Sequence, residues 1–124
     1  MAAACMFNPS DFANIARTEE SFWWFRGMRE ISFALLDPWV SRLGVRRVLE
    51  AGCGTGHFAG VLHQRYGADV TALDLAGEGL RYCRHRGLVR PVQGSIAALP
   101  FADGSFDLVT NRSEERRVGK ECRL

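Results

Sequence analysis

The spacing of hydrophobic and polar positions changes near Val45, and the two sides of that change predict different elements. Ahead of it, residues 19–36, EESFWWFRGMREISFALL, place Trp24, Met28, Ile31 and Leu35 at spacings of four, three and four. That spacing predicts one face of a helix. Gly27 weakens such a helix without forbidding it. Asp37 then offers an N-cap, Pro38 a first helical residue and Gly44 a stop, so a second short helix is expected over 37–44. Beyond residue 45 short apolar runs alternate with helical spacing. RRVLEAG, ADVTALDL, LVRPVQG and SFDLVTN read as strands. HFAGVLHQRY and GEGLRYCRHR read as helices, closed by Gly67 and Gly87. Pro91 removes a ladder donor from the third strand and predicts an interrupted or edge strand. Strand–helix alternation at this spacing implies right-handed crossovers and a parallel sheet. Aliphatic pairs such as Val48-Leu49 suit strands covered on both faces.

Charge adds one fact to this pattern. Residues 1–111 hold eleven Arg, no Lys and eleven acidic residues, so the body is formally neutral. The whole net charge of +2 comes from residues 112–123. A neutral body does not suggest nucleic-acid binding, which needs a basic face against phosphate. No apolar run approaches the roughly 18 residues of a membrane span, and the start of the chain lacks the basic and apolar segments of a signal peptide. The four cysteines stand singly, at 5, 53, 83 and 122, without metal spacing or a secreted disulfide framework. The expected location is the cytoplasm, and no metal site is expected.

The candidate chemistry sits where the first strand meets the first following helix, at LEAGCGTGHFAG. Gly52, Gly54 and Gly56 permit a sharp turn that brings bare amides to a ligand at a helix N-terminus. The run GTGHFA from Gly54 fits the dinucleotide fingerprint, with Asp74 about twenty residues on. That match alone admits any nucleoside-containing cofactor. Glu50 narrows it, because a carboxylate repels a pyrophosphate and attracts an ammonium or sulfonium. Asp74 suits two ribose hydroxyls.

Four stretches in order, EESFWWFRGMREI, VLEAGCGTGHF, VTALDLA and GSIAALPFADGSFDLV, resemble the class I S-adenosylmethionine (SAM)-dependent methyltransferases of the type 11, ubiquinone/menaquinone C-methylase-like kind. The resemblance runs from Glu19 to Asn111 and implies a Rossmann-like, doubly wound parallel sheet of α/β class, truncated after strand four, with N-terminal helices. It implies that Glu50, Gly52, Cys53, Gly54, Thr55 and Gly56 hold the methionine end of the cofactor. Asp74 then takes the ribose hydroxyls, Leu75 packs on the adenine, and Ser95 and Ile96 line its edge. Ser95 stands where the family usually carries an acidic residue. Asn111 falls beside the reactive methyl, and Trp23, Trp24, Phe25 and Arg26 correspond to a helix that lids the cofactor. Packing is an equal reading of those aromatics. The implied reaction is methyl transfer to a small-molecule acceptor, with any catalytic base outside this chain. A nicotinamide-dependent oxidoreductase and a cofactor-binding module without turnover are the alternatives. His57, His63 and His85 are expected to be ordinary helix or surface residues, Cys53 a small space-filler, and RYCRHR a solvated basic face.

RSEERRVGKECR, from Arg112, lacks the periodicity of a helix or strand and holds the only Lys in the chain. It resembles the translation of a sequencing adapter. The expected organisation is therefore residues 1–44 as a helical cap, 45–111 as a truncated cofactor half-domain and 112–124 as an artefactual tail. Such a chain is expected to be inactive by itself, with FDLVT left as an exposed sheet edge.

Overall fold

The structure is a computed structural model that describes residues 9–87 and 89–111. Residues 112–124, with Cys5 and Cys122, lie outside the described residues, so the expectation for the tail has no structural counterpart. Two helices come first, α1 (Pro9–Thr18) and α2 (Trp23–Leu43). They lead into β1 (Arg47–Ala51), α3 (His57–Tyr66), β2 (Asp69–Asp74), α4 (Gly77–Arg86), β3 (Arg90–Gln93) and β4 (Leu108–Thr110). The sheet order is β3-β2-β1-β4 and every pairing is parallel. This is the α/β sheet expected from the alternating pattern, and β3, with Pro91, lies on an edge as expected. The other edge among the described residues is β4, where Val109 is exposed.

The core lies between the sheet and its helices. Val48 of β1 pairs in register with Val70 of β2, and both pack with Phe58, Ala59 and Leu62 of α3 and Leu80 and Cys83 of α4. Leu49 and Leu73 alternate to the other face and are equally inaccessible, so both sides of β1 and β2 are covered. Asp107 fastens β4 to β1. Its carboxylate accepts hydrogen bonds from the Arg46 and Arg47 amides at 3.0 and 2.9 Å and pairs with the Arg47 guanidinium at 3.1 Å. The Arg47 amide first, then the Arg47 side chain and the Arg46 amide, lower this carboxyl to about 2. A carboxylate depressed below its unfolded value of 3.8 stabilises the fold fully above that pH and loses the contribution as pH falls towards about 2. Asp107→Asn is therefore expected to flatten the acid limb of thermal stability between pH 4 and 2, measured by circular dichroism. An unchanged limb would show that β4 is not held this way.

The N-terminal half departs from the predicted elements. α2 runs unbroken for 21 residues through Pro38, where two helices are expected from the Asp-Pro signal. Pro38 and Ala34, the residue whose carbonyl loses its partner, are both exposed, so the missing hydrogen bond falls on the solvent side. Asp37 is not a cap: it receives Arg65 at 2.6 and 2.9 Å and the Tyr66 hydroxyl at 2.6 Å. The face that packs on the core is Phe33 with Leu36 and Val40, and Phe33 stacks on Phe58 at 5.4 Å. Ile31 and Leu35, on the face singled out by spacing, are exposed. Gly44 ends the helix in the left-handed region as predicted. α1 is an addition to the predicted elements; Pro9 as its first residue and the Phe12–Ile15 spacing are its local signals.

Candidate functional site

Because all four strands run the same way, the segments that follow them gather at the carboxyl ends of the strands. Gly52–Gly56 follow β1, Asp74 ends β2, Ser95 and Ile96 follow β3, and Asn111 follows β4. The fold thus brings the eleven residues singled out from the sequence to the carboxyl end of the sheet. Direct contacts tie only part of the set together.

The loop after β1 is built on three glycines with positive φ, +79° at Gly52, +58° at Gly54 and +84° at Gly56. The Gly52 and Cys53 amides both donate to the Leu73 carbonyl, at 2.7 and 2.9 Å, which lays the loop across the end of β2. Asp74 holds its middle: one carboxylate oxygen accepts the Gly54 amide at 2.7 Å and the other the Ala76 amide at 2.9 Å. Gly56 then opens α3 by accepting the Gly60 amide. A Cβ on Gly56 would stand 2.8 Å from the Cys83 sulfur and 3.2 Å from its Cα, so α4 packs directly against the glycine. A Cβ on Gly54 would meet nothing within 4 Å, so this side of the loop is open.

Glu50 is 2% exposed, and its carboxylate accepts the hydroxyl of Thr110 from β4. Cys53 is buried in the core, which matches its reading as a space-filler. A hydrogen bond to Cys83, burial, and the nearby Asp74 and Glu50 carboxylates hold its thiol protonated. Leu75 and Ile96 are exposed. The Ser95 hydroxyl oxygen accepts the Ala97 amide at 3.0 Å, which fixes the turn after β3. Gln93, not singled out from the sequence, donates to the Leu75 carbonyl at 3.0 Å and sets the segment beside Asp74.

Trp23 is 72% exposed, and Trp24 is also exposed, so neither is a core residue. Phe25 faces inward: with Ile15, Glu19, Arg29, Gly54 and Thr55 it lines a cavity of about 120 Å³ between the N-terminal helices and the glycine loop. His57 lines the same cavity, whereas His63 bonds the Ala68 carbonyl and lies elsewhere. Among the described residues no three His, Cys, Asp or Glu side chains converge to hold a metal ion.

Glu19, in the turn between α1 and α2, is buried at 4% exposure. The Thr55 hydroxyl donates to its carboxylate, 2.6 and 2.8 Å from the two oxygens, and Arg86 of α4 pairs with it at 2.7 Å. Burial raises the Glu19 carboxyl above its ordinary range, against the Thr55 hydrogen bond and the Arg86 charge. This corrects the reading of RYCRHR as a wholly solvated face. Arg81 and Arg84 are exposed, but Arg86 turns in to the glycine loop and Cys83 is fully buried.

The chain with this glycine loop, tied to an acidic residue at the end of β2 on a sheet ordered 3-2-1-4, matches over residues 48–119 the model of a family described as a methyltransferase domain. The chain belongs to that methyltransferase domain family. The relatives agree. A malonyl-[acyl-carrier protein] O-methyltransferase of Pectobacterium atrosepticum is 48% identical over 63 residues, 50% of this chain and 24% of the relative. The enzyme of that name from Erwinia billingiae is 38% identical over 94 residues, 74% of this chain and 37% of its own length. A fatty-acid O-methyltransferase of Mycolicibacterium smegmatis is 43% identical over 70 residues, covering 53% and 26%. Among solved structures, SAM-bound CalS10, an amino pentose methyltransferase of Micromonospora echinaspora, superposes with a TM-score of 0.61 at 26% identity, over 86% of this chain and 42% of that one. This methyltransferase domain spans less than half the length of each of these proteins. No helix among its described residues is long and apolar enough to cross a membrane.

Proposed function

We propose that the whole protein transfers a methyl group from SAM to a small-molecule acceptor in the cytoplasm, and that this chain is its cofactor-binding half. The observation that carries the reading is Asp74 bonded to an open glycine loop, with the buried Glu50 two residues ahead of that loop in β1. The residues fit the cofactor. Each Asp74 oxygen accepts one backbone amide, and a carboxylate has about four acceptor positions, so capacity remains for two ribose hydroxyls. The open side of Gly54 leaves room for a ligand against the loop.

In this reading Glu50 and residues 52–56 hold the methionine end, and Asp74 orients the ribose. Leu75, Ser95 and Ile96 border the adenine, and Asn111 lies towards the reacting centre. When bound, the cofactor supplies a methyl group already activated by its sulfonium. The protein's own task is to align that group with an acceptor and exclude water. Of the N-terminal segment, Phe25 and Arg29 cover the loop at the cavity, while 45–111 hold the sheet that carries the cofactor. Residues 112–124 have no role in this reading. Names of relatives that include malonyl-carrier, fatty-acid and amino pentose methyltransferases support a small or carrier-linked acceptor.

Titration calorimetry of the chain with SAM and with NAD tests the reading. Binding of SAM with no heat from NAD is the expected result; tight NAD binding without SAM would sink it in favour of an oxidoreductase.

A further inference from the structure

The glycine loop is held at four of its residues by its own neighbourhood, Gly52 among them through its amide to the Leu73 carbonyl. Cys53 and Gly54 are tied to Leu73 and Asp74, and the Gly56 amide to the Cys53 carbonyl. Thr55 sits between two glycines in the left-handed region, the most permissive backbone of the site. What holds Thr55 comes from outside the loop. Its hydroxyl donates to Glu19, and its carbonyl accepts Arg86 Nε at 3.2 Å. The same guanidinium closes a ring by donating to Glu19 at 2.7 Å. Arg29 of α2 secures the turn that carries Glu19, donating to the Glu19 and Glu20 carbonyls at 2.6 and 3.1 Å.

An ion pair whose carboxylate is buried is an expensive way to dock a helix, because desolvation offsets part of the attraction. Apolar contact would serve a plain tether as well. The pair does supply directional, charge-assisted hydrogen bonds to a hydroxyl and a carbonyl of one residue. It also links three segments distant in sequence, at residues 19, 55 and 86, the first outside the matched domain of 48–119.

We propose that Glu19 is a positioning residue for the cofactor loop: through Thr55 and Arg86 it makes the α1–α2 turn and the glycine loop one rigid unit, so that cofactor affinity depends on a side chain in the covering segment. The inference rests on the cofactor reading above. Rigidity set in advance lowers the ordering cost of binding, which is the physical route from Glu19 to affinity.

The test compares Glu19→Ala with Asp37→Asn, which loosens α2 at its far contact with Arg65 and Tyr66. SAM affinity by calorimetry and amide hydrogen exchange over residues 53–57 are measured on the 124-residue chain. Glu19→Ala is expected to weaken SAM binding by about tenfold or more and to speed exchange in the loop. Asp37→Asn is expected to lower the melting temperature while keeping affinity within about twofold. Unchanged affinity and exchange in Glu19→Ala, or equal losses in both variants, would overturn the proposal. Should Glu19→Ala not fold, Glu19→Gln keeps a carbonyl acceptor for Thr55 and loses the charge facing Arg86. A loss of about threefold is then expected, and none would overturn the proposal. A wild-type chain that binds no SAM would remove the cofactor reading alone. Loop exchange then decides the clamp: faster in Glu19→Ala only supports it, and equal rates refute it.

Discussion

Gly56→Ala is expected to destabilise the empty protein by roughly 2–4 kcal/mol, the combined scale of a left-handed non-glycine residue and an overpacked contact. Two separate costs act at this position. The backbone has φ +84°, which L side chains rarely adopt, and the new methyl would stand 2.8 Å from the Cys83 sulfur and 3.2 Å from its Cα. The sulfur could rotate away, but the Cα belongs to α4, so relief requires the helix itself to move. Gly104→Ala separates the terms. That glycine has φ +78° and open space beyond it, so only the conformational cost of about 1–2 kcal/mol remains. Urea unfolding of the two variants beside the wild type reads the difference. Equal losses at 56 and 104 would mean that α4 does not press on the loop.

Asp74→Ala is expected to weaken SAM binding by about 1.5–3 kcal/mol, the usual range for losing hydrogen bonds to a charged group. The empty protein is expected to lose a smaller amount of stability, because the Gly54 and Ala76 amides lose their acceptor. Measuring both quantities keeps the roles apart: melting reports the loop anchor, and calorimetry reports the ligand. An unchanged dissociation constant would remove Asp74 from the cofactor site and leave it as a loop brace alone.

The contrast between the two halves of the chain follows from how far apart the interacting residues lie. From β1 to α4 each element meets its neighbour in sequence, and each turn carries its own chemistry in glycines 52, 54, 56, 67 and 87. Such local signals can be read from the chain, as Gly67 and Gly87 show at the ends of their helices. The N-terminal half is settled by remote partners. Asp37 and Pro38 form a good helix start, yet α2 continues because Phe33 and Val40, on either side of them, are both drawn to the same core. Arg65 and Tyr66 give Asp37 a stronger use than capping. Glu19 is the extreme case. Nothing in EESFWWFR distinguishes it from the exposed Glu20, since its partners lie 36 and 67 positions away. Of the candidate site, the glycine loop and Asp74 are joined by contacts of their own. Ser95, Leu75 and Ile96 share the carboxyl end of the sheet with them through topology.

The contact between Gly56 and Cys83 also makes this protein its own clock. Cys83 is wholly inaccessible, with the bare glycine packed directly against it. A thiol reagent can reach that sulfur only when the packing around it opens, through the local fluctuations that leave most of a fold intact. Read apart from the three other cysteines, the rate of labelling at Cys83 therefore reports how readily this packing opens, without any mutation being introduced. Any ligand that rests on the loop would slow the labelling.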